Sequence, residues 1–180
     1  MQPQVTLAHT ADLAADQLSG IRALLDTAFE GEFDAQDWDH ALGGLHVLLT
    51  GEDGLLAHGA VIQRRVRHAG RSLRVGYVEA VAVRPELHRS GHGGRIMAAA
   101  ERVIDAAYEL GALSASDAGA ALYRSRGWQV WPGRIGALGP DGPLRLPDEE
   151  GSTFLREVPG GPQLDAEQGL FFDWRDGDVL

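Results

Sequence analysis

Apolar positions along the chain change their spacing several times, and each change marks an element. Val5 and Leu7 alternate with polar neighbours in PQVTLAH, which predicts a short strand over residues 3–9. Leu13, Leu18, Ile21, Leu24, Leu25 and Phe29 fall on one face at helical spacing, so a helix is expected over about 13–29, capped by Thr10 or Asp12. FEGEFDAQDWDHALGG reads as a loop and one short helix, stopped by Gly43 and Gly44. From Leu45 the period becomes that of strands. LHVLLT, LLAHGAVIQRRVRH and LRVGYVEAVAV, joined by the turns GEDG and AGRS, predict an antiparallel meander. RPELHRSGHGG follows, then a helix RIMAAAERVIDAAYEL with Ile96, Ala100, Val103, Ile104 and Ala107 on one face. Beyond Gly111 the expected elements are a short strand ALSAS, a helix over about 117–125 and a strand WQVW. A Pro- and Gly-rich loop over 132–151 and β-like runs near 153–158 and 169–174 complete the chain. The expected class is therefore α/β (α+β), with an antiparallel meander followed by a strand, Gly-rich loop and helix, and 180 residues fit a single domain.

Composition narrows the chemistry by what is missing. Cysteine is 0, which excludes disulfides, thiolate nucleophiles and zinc knuckles in this sequence. All 16 basic residues are Arg, so a phosphate-binding P-loop lysine and a Schiff-base lysine are excluded as well. A phosphate here must be held by backbone amides and Arg. The net charge of -10 is uneven: residues 51–100 carry 8 Arg against 4 acids, while residues 1–50 carry 8 acids against 1 Arg. That polarity fits an anionic ligand at the centre and a cationic one near the ends, or simply Arg on the solvent face of a hairpin. An acidic chain without a basic stripe is not expected to bind nucleic acid. The opening MQPQVTLAHTADL lacks a basic n-region and an apolar h-region, and no apolar run suffices to span a membrane, so a soluble, cytoplasmic protein is expected.

Strand, Gly-rich loop and helix in succession make the most informative unit. Amides at a helix N-terminus, aligned with the helix dipole, attract anions, and glycine lets a phosphate approach closely. The run from Gly91 is G-H-G-G-R-I, not G-x-G-x-x-G, which disfavours a dinucleotide fold. His88 and His92 are four apart but lack the glutamate of a zincin site, no G-x-S-x-G elbow exists, and no metal is expected.

A β-meander ending in VEAVAV, then HRSGHGG, then an amphipathic helix, a short strand and a helix carrying ALYRSRGW resembles the GNAT superfamily of acetyl-CoA-dependent N-acetyltransferases. The resemblance implies the GNAT acyltransferase fold, a mixed, mostly antiparallel sheet flanked by helices in a single domain, in which Val81, Ala82 and Val83 present backbone groups to the cofactor. It also implies that the loop His88, Arg89, Ser90, Gly91, His92, Gly93 and Gly94 wraps its pyrophosphate, with His88 departing from the usual Arg or Gln. Tyr123 matches the family's general acid toward the coenzyme A sulfur; a phenol of pKa ~10 can protonate a thiolate of ~8.5. The likeness narrows to the aminoglycoside 2'-N-acetyltransferases of actinobacterial type, carried by FEGEFDAQDWDHALGG, VGYVEAVAV, YELGALSAS, LYRSRGW, PDEEGSTF and the terminal DWRDGDVL. It implies Glu79 as the candidate base that deprotonates the amine, with the C-terminal carboxylate as the alternative. It further implies Glu32, Asp37, Glu79, Glu149, Asp178 and the Leu180 carboxylate as contacts to a cationic aminoglycoside, with Ser114 and the Ala80 backbone beside them. Here the chain ends in Leu180, where that branch tends to end in Trp. Trp38 is a candidate for the sugar site, and a homodimer is expected from the family. Two other readings stand beside this one: acetyl transfer to another small amine, polyamine, peptide or cell-wall precursor, and a GNAT-like binding module without catalysis.

Overall fold

Alternation of buried and exposed side chains places the first strands where the hydrophobic pattern predicts them. In the computed structural model, which describes residues 2–180, β1 (Gln4–His9) pairs antiparallel with β2 (Leu45–Gly51). β2 in turn pairs with β3 (Gly54–His68) through a bulge between Leu49 and Thr50. The next turn carries Ala69 and Gly70 at φ 47° and 78°, two successive left-handed residues as a tight hairpin requires, and leads into β4 (Arg71–Val83).

The chain forms two compact units: residues up to Ile62 with Val78–Arg102, and Gln63–Tyr77 with Val103–Leu180. In the first, α1 (Ala15–Ala28) and α2 (Ala35–Ala41) bury an apolar face. Leu13, Ile21, Leu24, Leu25, Phe33, Leu48 and Ala82 form the cluster beneath them. Each large aliphatic side chain so buried contributes about 1.5–3 kcal/mol. The cap differs from expectation. Thr10–Asp12 form a separate 3-10 turn because the buried Leu13 takes extended backbone (φ -91°, ψ 131°), and α1 starts at Ala15 with Gln17 accepting from the Ala14 amide at 3.0 Å. α3 (His92–Ala107) begins three residues before the expected Arg95, which puts His92, Gly93 and Gly94 into its first turn. It packs closely on β3, since a Cβ on Gly59 would lie 2.7 Å from Ile96 Cγ2.

The second unit adds β5 (Leu110–Ser114), α4 (Asp117–Ser125) and β6 (Gln129–Val130). β7 (Ile135–Gly139), β8 (Gly142–Arg145), β9 (Thr153–Glu157) and β10 (Leu170–Asp173) follow. Strand order runs β6-β9-β5-β4-β3-β10-β7-β8, with β4/β5 and β7/β10 parallel and the other pairs antiparallel. The sheet is thus mixed and mostly antiparallel. α3 stops at Ala107 because β4 captures the following residues: the Glu109 amide donates to Arg74 O at 2.9 Å, and the Arg74 amide donates to the Glu109 carboxylate at 2.8 Å. The segment expected to be a loop over 132–151 contains the β7–β8 hairpin, turned at Pro140–Asp141. Val66, Leu73, Val75, Tyr77, Leu110, Trp131, Ile135 and Phe172 are among the core residues, and Leu180 packs against them. No helix among the described residues is long and apolar enough to cross a membrane.

Candidate active site

The first unit holds the residues matched to cofactor binding. β4 ends in Glu79, Ala80, Val81, Ala82 and Val83, of which only Ala82 is fully buried. Ala80 has φ 51°, so the strand bulges directly after Glu79. A 3-10 turn, Pro85–Leu87, leads to the loop His88–Gly91, where Arg89 (φ 62°) and Gly91 (φ 83°) are left-handed. His88 turns back to Val83 O at 3.2 Å, and the Ser90 hydroxyl donates to Leu87 O. His88 therefore braces the loop from the strand. The amides of His92, Gly93 and Gly94 open α3, a position whose N–H groups have no intrahelical acceptor by helix geometry. His92 Nδ1 is buried without a hydrogen-bond partner. An unsatisfied buried ring nitrogen beside first-turn amides fits a pyrophosphate there, with Arg89 and Arg95 exposed alongside as cations.

The acidic loop before α2 is pinned from within the same unit. Arg22 binds Asp26 at 2.7 Å, donates to Phe33 O at 2.8 Å and lies 5.2 Å over the Phe33 ring. Glu32 is exposed on this loop. Asp37 is half-buried and accepts from the Asp34 amide at 2.9 Å, closing a reciprocal cap in which Asp34 accepts from the Asp37 amide at 2.9 Å. The Asp34 carboxyl is held below its ordinary value, first by the Asp37 amide. Asp37 thus has a structural task in addition to the one the resemblance implies. Trp38 is half-buried against the Leu13–Leu25 cluster, which explains it as a core-edge residue.

The second unit brings together Ser114 and Glu149, 35 residues apart: the Ser114 hydroxyl donates to Glu149 Oε2 at 3.0 Å, and Ser152 donates to the same oxygen at 3.2 Å. Glu149 ends a 3-10 turn whose backbone carbonyl is held by Thr153 Oγ1 at 2.9 Å, so the carboxylate sits on a fixed frame. Tyr123, only 8% exposed, lies in the last turns of α4 between Trp128 and Phe154, with ring centroids 6.4 and 6.1 Å away. At the C-terminus, Asp178 is exposed and Leu180 half-buried.

Two arrangements escaped the sequence reading. Arg64 fits neither reading of the middle arginines, as a ligand-facing charge or as the hairpin's solvent face: it is 3% exposed, while Arg65 and Arg67 are exposed. It donates to the Asp173 carboxylate at 2.8 Å and to the carbonyls of Asp173 and Val179, and sits 5.1 Å over Tyr77 and 5.2 Å over Phe172. Burial, then Arg175, pull this guanidinium below its ordinary pKa. It fastens the tail that carries Asp178 and Leu180. The second arrangement is a buried pair, His46 and His58, both 0% exposed. The available signal was the period: position 64 alternates with Val66 and His68 on the inward side, and both histidines interrupt otherwise apolar strand runs.

Among the described residues, no group of three or more His, Asp or Glu side chains is placed to share a metal ion. The model of the acetyltransferase (GNAT) domain family matches residues 10–131. An aminoglycoside 2'-N-acetyltransferase of Mycolicibacterium fortuitum is 45% identical over 175 residues, 96% of this chain and 90% of that one. Among solved structures, the GNAT acetyltransferase YhbS of Escherichia coli, in complex with CoA, superposes with TM-score 0.66 at 16% identity, covering 97% of this chain and 90% of that one. Escherichia coli ElaA gives TM-score 0.61 at 18% identity over 87% of this chain and 100% of that one. On the family match and the long alignment at 45% identity, this chain belongs to the GNAT family of acetyltransferases.

Proposed function

We propose that the protein transfers the acetyl group of acetyl-CoA to the 2'-amine of aminoglycosides, by direct attack in a ternary complex, and so confers resistance to them. The observation that carries the substrate assignment is the 45% identity to an aminoglycoside 2'-N-acetyltransferase over 96% of the chain. The loop chemistry supports the cofactor: left-handed Arg89 and Gly91, first-turn amides and an unsatisfied His92 suit a pyrophosphate. Bound acetyl-CoA supplies an activated acyl group whose leaving group is a thiol. Val81, Ala82 and Val83 would offer backbone groups to it, and an amide of this stretch would polarise the thioester carbonyl. The family match spans 10–131 and so draws on residues of both units, which supports one acetyltransferase domain over 1–180.

Substrate amines are mainly ammonium ions near neutral pH, so attack requires a base. Glu79 takes the ammonium proton, directly or through one water, and the nitrogen lone pair then forms the amide bond. As the carbon–sulfur bond breaks, the Tyr123 hydroxyl would donate its proton to the sulfur, and the second proton of the attacking amine would leave to restore the phenol, directly or through water. A polycation is best bound by scattered carboxylates, the role of Glu32, Asp37, Glu149, Asp178 and the Leu180 carboxylate. Ser114 acts with Glu149, to which it is already bonded. The Ala80 backbone lies beside the base. A homodimer in the cytoplasm completes the reading, to be checked by light scattering and fractionation. The test is coenzyme A release with an aminoglycoside bearing a 2'-amine, in the wild type and in Glu79→Ala and Tyr123→Phe. Loss of turnover in both variants supports these roles, and full turnover in both refutes them.

A further inference from the structure

Of the four non-glycine residues with left-handed φ among the described residues, Glu30, Ala69 and Arg89 lie in turns, and Ala80 alone lies within a strand. An alanine in that region is strained and persists only where its surroundings hold it. What holds it is visible. His58 Nδ1 lies 2.8 Å from Ala80 O, His58 Nε2 lies 2.9 Å from His46 Nδ1, and His46 Nε2 lies 2.8 Å from Thr10 Oγ1, which also accepts the Gly43 amide at 2.9 Å. All of these residues belong to the first unit.

The proton positions follow from the end of the chain. A carbonyl only accepts, so His58 Nδ1 carries the hydrogen. Burial keeps His58 neutral, so its Nε2 accepts and His46 Nδ1 must donate. His46 is likewise kept neutral by burial, so its Nε2 accepts from the Thr10 hydroxyl at 2.8 Å, a shorter contact than the 3.3 Å from that hydroxyl to Gly44 O. Every ring nitrogen has one partner and one assignment, and the whole line points at a single carbonyl. We propose that His58 is a positioning residue: oriented by His46 and Thr10, its Nδ1–H holds the Ala80 carbonyl, and with it the left-handed bulge on which Glu79 stands. The inference rests on the reading of Glu79 as the base. A pair that merely satisfied itself in the core would not need to terminate on the one strained residue of the strand, next to that carboxylate.

The test compares two polar replacements of similar size in the full-length protein. In His58→Asn the amide nitrogen falls where Nδ1 was and can still donate to Ala80 O; in His58→Gln it falls nearer Nε2 and cannot. Coenzyme A release with tobramycin, thermal melting and the KM for acetyl-CoA are measured for both. The expected result is kcat within about threefold of wild type for His58→Asn and lowered by about tenfold or more for His58→Gln, the scale of a misplaced catalytic group, with both variants folded and KM for acetyl-CoA unchanged. Equal kcat in the two variants overturns the positioning role. Nitrogen-15 NMR of the wild-type rings gives a readout free of catalysis: hydrogen on His58 Nδ1 with Nε2 bare supports the proposal, and the opposite tautomer overturns it. Glu79→Gln is run beside them. Wild-type turnover there overturns the reading of Glu79 as base, whereas loss of turnover there with equal rates in the two His58 variants overturns the positioning role alone.

Discussion

Acid should unfold this protein earlier than its carboxylates alone would dictate, and His58 is the reason. Burial drives its pKa from 6.5 to about 3, with His46 lowering it further against the opposing bond to Ala80 O. Because the folded value lies below the unfolded one, the unfolded chain binds a proton that the folded chain refuses. Stability is therefore fully present above about pH 6.5 and lost as pH falls toward 3. Between pH 7 and pH 5 linkage gives a loss of about 2 kcal/mol. That figure is nearly the same for any folded pKa below about 4, since at pH 5 the folded ring stays neutral in every case. At about 2–4 °C per kcal/mol for a chain of this size, the melting temperature should fall by about 4–8 °C from this group alone. The assay is thermal unfolding of wild type and His58→Asn at intervals from pH 7.5 to 5. Asp34 and Glu150 titrate chiefly below this window, and because His46, whose pKa burial also lowers, is hydrogen-bonded to His58, the difference reports on the pair, in which His58 carries the large shift. The variant starts less stable and converges on the wild type as pH falls. Parallel curves would refute the reasoning, since they require His58 to titrate alike in folded and unfolded chains.

Other substitutions report on separate parts of the account. Gly76→Ala places a Cβ 2.8 Å from Tyr108 Cδ2 and 2.9 Å from Ile104 Cγ1, and should cost about 1–3 kcal/mol by denaturant titration; an unchanged midpoint would show that α3 can shift freely. Arg64→Met keeps most of the volume but leaves the Asp173 and Val179 carbonyls without their donor, for an expected loss of about 2–4 kcal/mol and faster carboxypeptidase trimming of the tail. Trimming at the wild-type rate would mean that other contacts hold the tail. Tyr123→Phe keeps the packing on Trp128 and Phe154, so its melting temperature should stay near wild type while kcat falls by about 10² or more; a wild-type kcat would remove Tyr123 as the acid. Ser114→Ala removes a donor to Glu149 and should raise KM for the aminoglycoside with little change in kcat, read from initial rates.

Much of this was legible in the residues because local rules and the fold agree. The meander from Leu45 to Val83 announces itself by alternation and by Gly turns, and the helix expected over about 117–125 forms as α4. The β7–β8 hairpin did not announce itself, because its strands contain Gly136, Gly139 and Pro143, and β7 is held by pairing with the distant β10, Ile135 opposite Leu170. The early start of α3 was hidden for the same kind of reason: His92, Gly93 and Gly94 are poor helix formers, and tertiary packing overrides their propensity. At the site, Ser114 and Glu149 were placed by family resemblance and are found hydrogen-bonded, whereas nothing in composition or spacing joins them. His46, His58 and Arg64 carry the opposite lesson. Polar residues on an inward register read as surface until the partners that satisfy them are seen, and those partners are a backbone carbonyl, a threonine and the chain's own tail.

The central claim is best tested by following free thiol as coenzyme A is released from acetyl-CoA, with tobramycin, which carries a 2'-amine, against kanamycin A, which carries a 2'-hydroxyl. The absence of cysteine keeps the protein itself silent in this assay. Turnover with tobramycin and none with kanamycin A is the predicted result. Silence with both, or equal turnover with both, would contradict acetyl transfer to the 2'-amine.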